Sequence, residues 1–134
     1  MAKRGYVIHI EKHTLKNGNF RQVLYTAKHS QLVLMSLRPG EEIGEEVHEN
    51  IDQFFRFEAG EGLVVIDGVP HKVRDGDGAI VPAGARHNVI NTSKREELKL
   101  YTIYSPPEHQ DRVVRRTKGD AEAQPEEYDG KTSE

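Results

Sequence analysis

At 134 residues, with a formal net charge of -3 and a pI near 6.2, the chain can fill one hydrophobic core and carries no basic surplus for a nucleic-acid backbone. Hydrophobic residues make up 35% and aromatics 7%, and no apolar stretch approaches the roughly 20 residues that a membrane-spanning helix needs. The absence of cysteine excludes disulfide frameworks, thiolate metal sites and cysteine nucleophiles together, so any metal must be held by nitrogen and oxygen.

The opening residues are basic, but the stretch 6–10 supplies no apolar core for a signal peptide, and a cytoplasmic location is expected. From there to Tyr104 the apolar residues alternate or fall in short runs bounded by Gly, Pro, Asn and Asp, which predicts strands rather than helices. The predicted strands are 6–10, 20–26, 31–38, 43–48, 53–57, 62–66, 71–73, 79–81, 87–90 and 98–104. Asn17-Gly18 and Asp67-Gly68 favour positive φ, so each is predicted to close a hairpin. Strands at this spacing point to an all-β sandwich or barrel. The predicted division is a barrel over 1–104 and a polar tail or arm over 105–134. Apolar anchors thin out to Val113, Val114 and Tyr128 in that last segment, and its 8 acidic and 5 basic residues account for the entire net charge. It reads either as a solvated appendage or as an arm packed through Val113 and Val114.

Two constellations stand out. The first is Gly40-x5-Glu46-x-His48-x4-Gln53-x6-Gly60, and the second, fifteen residues on, is Gly76-x5-Pro82-x-Gly84-x2-His87-x3-Asn91. Residues two apart on a strand project to one face, so Glu46 and His48 form a chelating pair. Gln53 shares its face with Phe55 and Phe57, which places the two aromatics deeper along the same interior as pocket residues, while Arg56 alternates outward. His87 shares its face with Val89 and Asn91. Asn91 is a candidate pocket residue, although satisfying the backbone of its turn is the simpler role.

Both spacings resemble the cupin superfamily, whose small members are double-stranded β-helix (jelly-roll) barrels. The second constellation matches that family at every fixed position. The first keeps its glycines and its second histidine but has Glu46 in place of a histidine and Gln53 in place of a glutamate. The resemblance implies one divalent metal ion per chain, held by Glu46, His48 and His87, with Gln53 either ligating directly or hydrogen-bonding a water or substrate. Two imidazoles and a carboxylate suit Fe, and less selectively Mn, Ni, Co or Zn. A single carboxylate leaves such a centre with a charge of about +1, which favours an anionic ligand.

The expected activity is that of a metalloenzyme, dioxygenase-like, acting on a small oxygen-rich substrate. The alternatives are a sugar or sugar-phosphate isomerase, for which Arg38, Arg56 and Arg86 are unplaced phosphate-site candidates, and a non-catalytic metal-dependent sensor. Catalytic residues are not identifiable at this level. The expected assembly is a homodimer, since an open barrel has edges to cover and the family's small members pair through N-terminal strands. Neither a nucleic acid nor a membrane is expected as partner. His9, His13, His29, His71 and His109 lack comparable spacing and are read as structural or exposed.

Overall fold

Alternation is plainest between Leu98 and Ser105, where Leu98, Leu100, Thr102 and Tyr104 are buried and the residues between them are half-buried. That period of two lays one face of a strand on a core. In the computed structural model, which describes residues 2–134, the strands are β1 (Arg21–Thr26), β2 (Gln31–Leu37), β3 (Glu46–Val47), β4 (Asp52–Ala59), β5 (Glu61–Ile66), β6 (Val69–Arg74), β7 (Gly78–Val81), β8 (Arg86–Asn91), β9 (Leu98–Ser105) and β10 (Val114–Arg115). Two short helices complete the set, α1 (Ile10–Lys16) and α2 (Lys118–Ala123).

All pairings are antiparallel. One sheet runs β10-β1-β2-β9-β4-β7 and the other β3-β8-β5-β6. Between them Val33, Met35, Leu37, Phe55, Phe57, Val64, Val89, Leu98 and Leu100 form the centre of the core, each no more than 1% exposed. This is the double-stranded β-helix that the resemblance to the cupin superfamily implies.

The Asp67-Gly68 hairpin is present, with φ of 46° and 82° joining β5 to β6 and Ile66 opposite Val69. Gly60, last of the first constellation, has φ 91°, and a Cβ there would sit 2.5 Å from the Glu97 carbonyl oxygen, so no other residue fits.

Three expectations need correction. Residues 6–10 are not a strand: the chain is irregular to His9 and then helical. Half-buried Ile10 and buried Thr14 and Asn17 recur at helical spacing, and the Thr14 hydroxyl donates to the Ile10 carbonyl at 2.7 Å. Asn17-Gly18 therefore closes no hairpin; Asn17 ends α1, its N–H reaching His13 O and its side chain bonding both polar backbone groups of Asn19. The predicted strand 43–48 is reduced to Glu46–Val47, because Ile43 and Gly44 bond to β8 individually through Val89 O and the Asn88 side chain.

The segment after Tyr104 lies along the barrel. Val114 and Arg115 pair with β1, Val23 N donates to Val113 O at 2.9 Å, and Phe20 N to Arg116 O at 3.0 Å. Thr117 caps α2 by accepting from Asp120 N. Buried Gln31 grips the first turn of this arm. Its amide nitrogen donates to His109 O at 2.7 Å, and its amide oxygen accepts from His109 N and Glu108 N. At the far end the Glu134 carboxylate accepts from the backbone of Arg4 and Gly5 and from the Tyr25 hydroxyl.

Candidate metal centre and barrel mouth

The register of the strands gathers the anticipated donors. Glu46 lies directly opposite His87 across the β3–β8 ladder, and Gln53 lies opposite Tyr104 across β4–β9. His48, two residues beyond Glu46, brings its Nε2 to 3.1 Å from the Glu46 carboxylate, and its ring centroid stands 5.3 Å from that of His87. His87 is 5% exposed, its Nδ1 is 3.2 Å from Ala85 O, and the Phe55 ring lies 6.2 Å away. Phe57 stacks behind Phe55 at 6.4 Å, so the aromatics do lie deeper along one interior. Gln53 is buried, and its amide nitrogen donates to the Thr102 hydroxyl at 3.0 Å.

Asn91 is the exception. Its amide nitrogen donates to the carbonyls of Leu37, Arg38 and Glu96, and its oxygen accepts from Ser93 N. Fully engaged with backbone, it is a structural clamp and not a pocket wall. The three arginines singled out as phosphate-site candidates do not line the mouth either. Arg56 pairs with Glu58, Arg86 pairs with Glu45 on the exposed side, and Arg38 is exposed.

The arm adds groups that the spacing gave no means of finding. The Glu108 carboxylate reaches His48 Nδ1 at 3.0 Å. His109, read from the sequence as structural or exposed, is buried and sits between two partners. Its Nδ1 is 2.7 Å from Glu126, its Nε2 is 3.2 Å from the Tyr104 hydroxyl, and the Tyr104 and His109 rings meet edge-on at 5.0 Å. The only sequence signal for this cluster was a histidine inside an otherwise polar tail.

The electrostatics follow from these contacts. Burial pushes His109 below the ordinary histidine value, so the ring is neutral, donates from Nδ1 to Glu126 and accepts from Tyr104 at Nε2. Burial likewise pushes Tyr104 up, keeping its hydroxyl protonated. Burial pulls Glu46 upward, but contact with His48 and the charges of His48, Arg21 and His87 more than reverse this, leaving its carboxyl below the usual range. Contact with Glu108 and then Glu46 outweighs burial at His48 and raises it to about 9.

Without metal, therefore, a protonated His48 is held between two carboxylates. Because the folded state binds that proton more tightly than the unfolded chain, the contact contributes stability that is complete below about pH 6.5 and is lost as the pH rises through about 9. With chelator present, urea unfolding at about pH 6 and about pH 10 should show a stability drop about 1–2 kcal/mol larger in wild type than in His48→Gln. Equal drops in the two proteins would mean that His48 does not hold the proton.

Comparison with known proteins agrees with this architecture. Residues 33–104 match the family model described as Cupin domain. The chain belongs to the cupin family. It is 46% identical over 124 residues to the uncharacterized protein YrkC of Bacillus subtilis, covering 88% of this chain and 66% of YrkC. It is 43% identical over 107 residues to the uncharacterized protein L612 of Acanthamoeba polyphaga mimivirus, covering 78% of this chain and 67% of L612. This chain thus spans about two thirds of the length of these relatives. The crystal structure of BH2720 from Bacillus halodurans superposes with a TM-score of 0.87 at 43% identity, covering 90% of this chain and 96% of that one. Among the described residues no helix is long and apolar enough to cross a membrane.

Proposed function

We propose that this cupin holds one divalent transition-metal ion at the barrel mouth through Glu46, His48 and His87, with Gln53 beside them, and acts on a small anionic, oxygen-rich substrate. The observation that carries the reading is a pair of orphaned atoms. Three side-chain polar atoms among the described residues are buried without a hydrogen-bond partner, and two of them, His48 Nε2 and Gln53 Oε1, belong to the anticipated donor set. Although His48 Nε2 lies 3.1 Å from the Glu46 carboxylate, it is not aligned with it as a hydrogen bond. Buried orphans of this kind are costly, and coordination to a cation would satisfy each.

Among the described residues no three histidine, aspartate or glutamate side chains already surround a common point. His48 instead faces its two carboxylates, and the proton it holds stands where a cation's charge would otherwise be. The donor chemistry fits a divalent ion, since nitrogen and oxygen ligands with one carboxylate suit Fe(II), Mn(II), Ni(II), Co(II) or Zn(II). Such an ion supplies Lewis acidity toward a bound oxygen. The protein's own contributions are the orientation of His48 by Glu108 from the arm, the dry wall of Phe55 and Phe57, and a neutral His109 that holds the protonated Tyr104 hydroxyl in place.

Elemental analysis of the purified protein should find about one transition ion per chain. The His48→Ala/His87→Ala double variant should retain less than about a tenth of it. Unchanged metal content in that variant would remove the site.

A further inference from the structure

Among the described residues, one charged side chain of the interior forms no ion pair with either the arm or the candidate metal centre. Arg21 begins β1 on the face it shares with buried Val23, and lies opposite Met35, which is fully buried on β2. It is therefore directed toward the barrel interior. Its Nε is buried without a hydrogen-bond partner, and among the described residues its guanidinium forms no ion pair. The Phe20 ring lies against it, with the guanidinium carbon 5.4 Å from the centroid.

The contrast with Arg115, its direct partner across the β1–β10 ladder, is instructive. Arg115 donates twice to Gln124 O, at 3.2 and 2.9 Å, and approaches Glu126 at 3.5 Å. Glu126 is also held by His109, and Glu46 is held by His48. The carboxylates that feel Arg21 thus have other partners, while its positive charge acts on Glu46, Tyr104, His109 and Glu126, the groups that ring the mouth. A half-buried guanidinium without a partner costs stability, and its five donors match a carboxylate in two-point geometry.

We infer that Arg21 is the anion-recognition residue of the barrel mouth, binding the carboxylate of a small organic acid whose remaining oxygens face Glu46, His48 and His87. The second half of this assignment rests on the metal-centre reading; the carboxylate contact does not. The competing role is structural, with Arg21 merely packing on Phe20 and balancing the nearby carboxylates.

Malonate and its neutral counterpart malonamide separate the two roles. The full chain, metal-free and metal-loaded, is titrated with each probe while the Arg21 Nε–H resonance is followed by NMR, and calorimetry gives affinities for wild type, Arg21→Lys and Arg21→Met. The expected result is that malonate moves the Arg21 Nε–H signal and malonamide does not. Affinity for malonate should fall roughly tenfold or more in Arg21→Met, with Arg21→Lys between the two. Metal content should be unchanged, and Arg21→Met should be as stable as wild type or more so, because an unpaired interior charge has been removed.

Equal malonate affinity in wild type and Arg21→Met overturns the assignment, as does the absence of malonate binding to wild type. A fall in the stability of Arg21→Met without a change in malonate affinity also overturns it, in favour of the structural role. If His48→Ala/His87→Ala holds no less metal than wild type while malonate still moves the Arg21 signal, the metal-centre reading falls and the carboxylate role of Arg21 stands. If Arg21→Met holds metal normally and no protein responds to malonate, Arg21 alone is eliminated.

Discussion

Replacing Gln31 with alanine should lower stability by about 3 kcal/mol and release the arm from the barrel. The side chain is 1% exposed and makes four hydrogen bonds, donating to the Thr26 hydroxyl and to His109 O and accepting from His109 N and Glu108 N. Alanine would strand three backbone groups of the arm's first turn, and each buried group left unsatisfied costs about 1–3 kcal/mol unless water reaches it. Opening of the arm is the way water reaches it. Urea unfolding measures the loss, and limited proteolysis should cut within 105–134 much sooner in Gln31→Ala than in wild type. A loss below about 1 kcal/mol with unchanged cutting would show that β10 and Glu134 hold the arm without Gln31. Because Glu108 travels with the arm, His48 in this variant should also lose its Nδ1 contact.

The second large effect is expected at Glu46. Glu46→Gln removes the one carboxylate of the proposed donor set, and divalent metal affinity should fall by about a hundredfold. Gln53→Glu should move affinity the other way, since it adds a carboxylate at the orphaned Oε1, and the Thr102 hydroxyl, which accepts from the Gln53 amide, can turn to donate to it. Glu45→Gln is the control. Glu45 projects to the opposite side and pairs with exposed Arg86, so its charge is screened by solvent and its loss should change metal affinity little. Titration of one metal against all four proteins decides the matter, and equal small effects for Glu46→Gln and Glu45→Gln would remove Glu46 from the site.

The parts of this molecule legible in the sequence are those in which local spacing determines direction. His48 and Glu46 two apart and Gln53 alternating with Phe55 and Phe57 follow from the pleat of a strand, and the structure buries Gln53, Phe55 and Phe57 and brings His48 beside Glu46. Helix α1 was missed because the alternation at 6–10 runs into a helical spacing of Ile10, Thr14 and Asn17, in which the buried members are polar or only partly covered. A hydrophobic pattern carries no trace of a buried threonine. Glu108, His109 and Glu126 were illegible for another reason: they reach the mouth only because the arm folds back over β1 and Gln31, and no spacing within the arm encodes that path. Arg21 was passed over in favour of Arg38, Arg56 and Arg86, since the register of β1 against β2 is a long-range property that one strand does not reveal.

The grip of Glu134 on Arg4 and Gly5, supported by Lys3 Nζ donating to the Glu134 carbonyl at 3.2 Å, holds residues 3–5 and residue 134 together on the surface. A linker of a few residues would join these two segments into a ring. New ends could then be opened at the exposed Asp67-Gly68 turn, giving a circularly permuted barrel with the same sheets but a different order of assembly. In such a permuted chain β1 and β10 would no longer lie near opposite ends of the sequence. Closing the loop between them, one of the longest pairings in the natural order, would become one of the shortest.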